Sequence, residues 1–194
     1  MGNGAQQVQA LGAHLAQMLS AHDSDCARVL GAALREGATP RPGEAAQTRP
    51  PKLMQALRAA PEDLASALSA AAPNLRWYEG GFGKAHDRGR VALWVARLFD
   101  RTGMVGKGDA TAGLILIAPN YHYPEHSHAA EELYLVLSGE LDWSVDGQDV
   151  GRKQPDAFVH HQPWQRHAMT TGDDPALLFW GWTGDTRAET YTLH

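Results

Sequence analysis

The chain carries one cysteine, Cys26, so no internal disulfide can brace it, and a reducing compartment is the expected setting. The opening residues, MGNGAQQVQA, hold no basic stretch followed by an apolar one, so no secretory signal is read there. No run approaches the roughly 18 apolar residues that a membrane-spanning helix needs. Positive charge is scarce too: 17 Lys and Arg stand against 22 Asp and Glu, a formal net charge of −5. That balance disfavours a nucleic-acid-binding face. Together these absences lead to the expectation of a cytoplasmic protein with no nucleic-acid partner and no membrane partner. No internal repeat is seen either.

What is present is a globular composition, 43% hydrophobic over 194 residues, enough for one good core with an appendage. The first part reads as helical. Leu11, Leu15, Met18 and Leu19 recur at helical spacing, as do Val29, Leu30, Ala33 and Leu34. Residues 37–51, GATPRPGEAAQTRPP, carry four prolines and two glycines and read as a linker or surface loop. Helical spacing returns through Leu53, Leu57, Leu64 and Leu68, with Pro61 suited to a first helical position and Glu62 and Asp63 to the positive end of the dipole. Gly80, Gly81 and Gly83 mark a loop, and Val91–Phe99 is ambiguous between strand and helix. From residue 112 the pattern becomes short apolar runs between turn signals: AGLILIAP, EELYLVLSG, ELDWSVDG, DAFVHH, RHAMTT, ALLFWGWTG and ETYTL. Those spacings predict a β-sandwich or small barrel, with Asp146-Gly147 at a hairpin tip. The expected organisation is a helical N-terminal extension over residues 1–75 and a β half over 76–194, mainly β and α+β overall.

One stretch concentrates metal-competent side chains: YPEHSHAAEELYLVLSG, residues 123–139. On extended backbone, residues two apart share a side, so His126 points with His128, and Glu132 with Tyr134. Imidazole and carboxylate are suitable ligands for Zn, Fe(II) or Mn. A further histidine must come from elsewhere, and His167, on an expected strand after the Pro163 turn, supplies it. Three protein ligands with an open position describe a catalytic metal site rather than a closed structural one. Glu131 is read as a solvated neighbour of Glu132, Cys26 as an inert buried thiol, and His122 as exposed. His160 and His161 are adjacent, so at most one of them faces inward, in a surface or hydrogen-bonded role.

The spacing His126, His128, Glu132, Gly139, followed by Pro163 and His167, resembles the two motifs of the cupins. The resemblance covers roughly residues 110–185 and implies a double-stranded β-barrel with a metal in its mouth. Within it, YPEHSHAAEELYLVLSG, QPWQRHAMTT and LLFWGWTGD look like the cupin-type dimethylsulfoniopropionate (DMSP) lyases, as do the helical extension and the length. That resemblance implies cleavage of DMSP, a small zwitterion, to dimethyl sulfide and acrylate with one divalent ion (Zn, Fe(II), Mn, Co or Ni). It implies His128, Glu132 and His167 as ligands, His126 as a ligand or a pocket wall, and Tyr123 and Tyr134 as active-site tyrosines. Two positions depart from the family pattern. Ala129 stands where a proline is expected, and Trp164 is unusual in the second motif and bears on pocket shape. Cupins often pair, so a homodimer is expected to be open to this chain.

The chemistry fits these residues. In β-elimination a base removes the proton α to a carboxylate while the sulfonium leaves from the β carbon. A metal ion on the carboxylate acts as Lewis acid, and a nearby cation favours a phenolate over a phenol. Tyr123 is favoured as the base, because a phenolate on the metal loses basicity, and Tyr134 is expected to orient substrate or sit at the metal. An aromatic face holds a sulfonium without an anionic partner, and Trp180, Trp182 and Trp143 are the tryptophans read for that role. The same ligand set also serves dioxygenases and sugar isomerases, and a non-catalytic ligand-sensing cupin is a further alternative.

Overall fold

The computed structural model describes residues 2–37, 50–80, 86–87, 90–101 and 109–194. Most of the loop expected at 37–51, residues 38–49, lies outside the described residues, as do Gly81 and Gly83 of the expected glycine loop.

The first elements are helices: α1 (Asn3–Leu19), α2 (Asp25–Gly37), α3 (Leu53–Arg58) and α4 (Glu62–Ala71). The leucine stripes at 11, 15, 19, 30, 34, 53, 57, 64 and 68 are all buried. Val29 is the exception in its stripe; at 44% exposed it sits on the outward side of α2. Pro61 is the residue preceding α4, with extended backbone (ψ 144°), so the first helical residue is Glu62. Among the described residues, no helix is long and apolar enough to cross a membrane.

Strands follow: β1 (Trp77–Glu79), β2 (His86–Asp87), β3 (Arg90–Val91), β4 (Leu93–Arg101), β5 (Ala110–Ile117), β6 (His122–Ser127), β7 (Ala130–Ser138), β8 (Leu141–Val145), β9 (Gln148–Lys153), β10 (Phe158–His161), β11 (His167–Thr171), β12 (Ala176–Gly184) and β13 (Thr192–Leu193). The ambiguous stretch 91–99 becomes mostly β4, which pairs antiparallel with both β1 and β5. Six strands form one sheet in the order β1-β4-β5-β12-β7-β10, and five form a second, β13-β6-β11-β8-β9; β2 and β3 pair with each other.

The larger sheet is covered on both faces. One face carries Leu114, Leu116, Leu133, Leu135, Leu177 and Phe179 into a core shared with the helical leucines. The other carries Ile115, Tyr134, Val136, Leu178, Trp180 and Trp182 against Tyr123, Leu141, Trp143 and Met169 of the smaller sheet. Burial on both faces explains why β5, β7 and β12 read as continuous apolar runs, whereas β9, exposed along nearly its whole length, does not. Gly181 sets how closely α2 approaches, since a Cβ there would lie 2.5 Å from the Leu30 side chain.

Two turn expectations have clear causes. Asp146 and Gly147 both take positive φ (49° and 74°) between the paired Val145 and Gln148, the two-residue turn that matches strand twist. Gly139 has φ 77°, and a Cβ there would lie 2.4 Å from the Pro175 carbonyl oxygen, so both conformation and contact require glycine.

Candidate active site

The site lies between the two sheets. β6 supplies Tyr123 and His126, His128 follows directly after β6, and β7 supplies Glu132 and Tyr134. Register completes it: His167 of β11 pairs opposite His126, while Glu132 is flanked by Trp182 of β12 and His161 of β10. His126, His128, Glu132 and His167 are all essentially fully buried.

Three imidazoles are fixed in the same way. His126 Nδ1 donates to the Pro124 carbonyl at 2.8 Å, His128 Nδ1 to Ala130 at 3.1 Å, and His167 Nδ1 to Gln165 at 3.0 Å. A carbonyl only accepts, so each Nδ1 carries the proton and each Nε2 is the ligand-competent nitrogen. Glu132 Oε2 then faces two of them, His128 Nε2 at 2.9 Å and His167 Nε2 at 3.1 Å. His167 Nε2 is buried and off the line of a hydrogen bond. The ligand atoms of His126, Glu132 and His167 lie within 4.8 Å of one another. Lone-pair nitrogens converging on a carboxylate oxygen repel unless a cation lies among them, either an extra proton or a metal ion. The donor set therefore fits a divalent ion.

Glu132 is held from several sides. Trp182 Nε1 donates to its Oε1 at 2.6 Å. Burial alone would raise the Glu132 carboxyl, but with the extra proton on the facing imidazoles, His128 by charge and hydrogen bond and His167 beside it hold it well below the usual range. His161, buried and accepting from Trp143 Nε1 at 3.2 Å, stacks on His167 at 4.0 Å. Burial first, and then the neighbouring His167, push His161 down to about 3, so it stays neutral.

Both phenols are pushed up from their ordinary value, mainly by burial. Tyr134 is raised further by the Glu132 charge and by its hydrogen bond to that carboxylate. Tyr123 is raised by burial too, but a hydrogen bond from Tyr191 acts in the opposite sense. The Tyr191 hydroxyl donates to the Tyr123 oxygen at 3.2 Å.

A cavity of about 300 Å³ opens onto this centre, lined by Tyr123, His126, Glu132, Tyr134, Trp180 and Trp182 among others. Two sequence expectations need correction. Trp143 was grouped with the cavity tryptophans, yet it is buried behind the site, against Tyr134 and His161, and does not line the cavity. Trp164 was expected to shape the pocket. It stands 57% exposed, with φ 66°, and only its backbone N–H reaches the site's frame, donating to the His128 carbonyl at 2.7 Å.

Other residues reach the cavity that sequence reasoning did not select. Tyr191 arrives because β13 pairs with β6, setting Leu193 opposite His126 and stacking the Tyr191 ring 5.0 Å from His126. Glu79 of β1 and Arg97 of β4 place charge of both signs on the wall, Arg97 bonded to Asp100 at 2.5 Å. No local motif marks these three; only strand pairing brings them in.

The family profile for dimethylsulfoniopropionate lyases matches residues 44–178. The DMSP lyase DddQ of Ruegeria pomeroyi is 28% identical over 178 residues, 88% of each sequence. Its crystal structure superposes with a TM-score of 0.69 at 23% identity, covering 97% of this chain and 96% of that one. A cupin-2 domain protein of Rhodospirillum rubrum superposes with a TM-score of 0.50 at 15% identity, over 63% of this chain and 76% of that one. The chain belongs to the DMSP lyase family, and its paired sheets form the expected cupin barrel behind N-terminal helices.

Proposed function

We propose that this member of the DMSP lyase family cleaves DMSP to dimethyl sulfide and acrylate, using one divalent ion held by His126, His128, Glu132 and His167. The observation that carries the metal is the common setting of three imidazoles, each with Nδ1 engaged by a backbone carbonyl, two of them closing on one Glu132 oxygen. Zn, Fe(II), Mn, Co and Ni all suit such a nitrogen and oxygen donor set. When bound, the ion would supply Lewis-acid stabilisation of the charge that develops on the substrate carboxylate.

The chain's own residues do the rest. Tyr123 takes the α proton; the C–H electrons form the new double bond; the C–S bond breaks, and its electron pair leaves on sulfur as dimethyl sulfide. Tyr123 suits the base because it accepts a hydrogen bond from Tyr191, which favours the phenolate. Tyr134 is the poorer base because its proton is held toward Glu132; it positions the substrate. Burial opposes both phenolates, so the base depends on positive charge at the centre. Trp180 and Trp182 line the cavity, and their aromatic rings are the groups proposed to hold the sulfonium. A cavity of about 300 Å³ is at the small end for ligands, as a zwitterion of a few carbons requires.

Headspace gas chromatography for dimethyl sulfide tests this, with protein incubated with DMSP, with and without chelator, and with each metal added back. Metal-dependent release that is lost in His128→Ala is the expected result. No release from folded, metal-loaded protein would sink the substrate assignment and leave dioxygenase and isomerase panels to run.

A further inference from the structure

We propose a second metal site, on the outer face of the six-stranded sheet, in which Cys26, Glu131 and His160 hold a thiophilic divalent ion such as Zn(II). The strands that send Glu132 and His161 inward send their neighbours Glu131 and His160 outward, because successive side chains alternate. α2 covers that outer face, and Cys26, the second residue of the helix, reaches the same point. Thr183 of β12, paired opposite Glu131, hydrogen-bonds the Cys26 thiol from the side.

The geometry is close to that of a coordination sphere. One ligand atom from each of Cys26, Glu131 and His160 lies within 4.8 Å of the others. A tetrahedral zinc with Zn–S near 2.3 Å and Zn–N and Zn–O near 2.1 Å sets its ligand atoms roughly 3.3–3.6 Å apart. The thiol needs to close by up to about 1.2 Å, and the His160 Nε2 to Glu131 Oε1 contact of 2.7 Å to open by rather less. His22, in the turn between α1 and α2, stands edge-on to His160 with ring centroids 5.4 Å apart. Its Nδ1 is engaged with Ser24 Oγ at 2.9 Å. Burial first, and then the neighbouring His160, push His22 below its ordinary value at the edge of the cluster. The Glu131 and His160 side chains are 31% and 22% exposed, so the cluster is open to solvent on one side while Cys26 closes the other.

An ion pair between His160 and Glu131 explains those two residues without explaining the thiol. Burial first, opposed by the Thr183 hydrogen bond and aided by the Glu131 and Glu132 charges, pushes the Cys26 thiol up to about 12, so the thiol keeps its proton unless a cation sits beside it. A bound ion would pin α2, and with it the helical layer, to the strand that carries Glu132.

Cys26 is the chain's only cysteine, which makes the site separable from the inner centre. The metal-free full-length protein is titrated with Co(II) and followed by absorption. Two equivalents per chain are expected, one of them accompanied by a near-ultraviolet thiolate-to-cobalt charge-transfer band. Cys26→Ser should abolish that band and one equivalent while leaving dimethyl sulfide release within twofold. Glu131→Gln and His160→Ala, each independent of how the cysteine variant folds, should weaken the band at least tenfold in the concentration of Co(II) needed. Binding of a single equivalent with no thiolate band overturns the proposal. So does a band that persists unchanged in both Glu131→Gln and His160→Ala, since the thiol would then be capturing cobalt without the site.

Discussion

Glu131 and Glu132 are adjacent in the chain and live in different chemistry. Glu132 is sealed inside the barrel, with a tryptophan N–H on one oxygen and two imidazoles on the other. Glu131 lies on the outer face, about a third exposed, bonded to His160. The same split separates His161 from His160 on β10, and Trp182 from Thr183 on β12. Three strands thus carry two unlike constellations back to back, one buried and aromatic, the other partly exposed at the rim of an apolar helix–sheet core. The difference teaches that alternation, not sequence distance, assigns chemical environment in this fold.

The sharpest way to break the comparison is to change one carboxylate at a time. Glu132→Gln should lose the inner metal and bring dimethyl sulfide release to background, whereas Glu131→Gln should leave release within twofold; metal analysis and headspace chromatography read both. Equal loss in the two variants would mean that the faces are not independent. Tyr123→Phe should retain the metal and lower kcat by on the order of 10²–10⁴, the range of a general base. If Tyr123→Phe stays active and Tyr134→Phe is dead, the two roles exchange. Tyr191→Phe removes only the donor to Tyr123. It should cost several-fold to about tenfold in kcat, the scale of one hydrogen bond.

The faces also differ in how they tolerate a methyl group. At Gly113 a Cβ would lie 2.2 Å from the Ala96 carbonyl oxygen, which is backbone and paired within the sheet. At Gly181 it would meet the Leu30 methyls, which can turn aside. Gly181→Ala should therefore cost about 1–3 kcal/mol, and Gly113→Ala more, by denaturant unfolding. The smallest effect concerns pH in chelated protein. The Cys26 thiol is raised from 9.0 to about 12 on folding, so the folded state holds the proton more tightly. Its contribution is fully present below pH 9 and is lost as pH rises toward 12. Cys26→Ala should therefore lose less stability than wild type between pH 9 and 10, read from denaturation midpoints; identical slopes would contradict the burial of that thiol.

Much of the inner centre was legible because its parts are local. His126, His128 and Glu132 fall within seven residues, and two-residue alternation places each pair on a common side. Gly139 could be read as part of a motif, though its reason, a positive φ against the Pro175 carbonyl, could not. The tryptophans show the limit. Trp143, Trp180 and Trp182 look alike in sequence, yet one packs behind the centre and two line the cavity, because strand order sets which lies nearer the mouth. Trp164 looked like a pocket residue and points to solvent. Tyr191 and Cys26 lie 65 or more residues from what they approach in the chain, with no periodic signal to connect them.

By itself the sequence determined the helical and β character of the two halves, the shared sides of a few residue pairs such as His126 with His128 and Glu132 with Tyr134, and the motif proposed to hold the metal. Those depend on backbone periodicity and on residue chemistry over a few positions. Only the tertiary structure decided which faces meet: Tyr191 over Tyr123, Glu132 between Trp182 and His161, and Cys26 against Glu131 and His160. Those contacts follow from strand order, register and helix docking, which are set by burial of whole surfaces and so are not written in any short stretch of the chain.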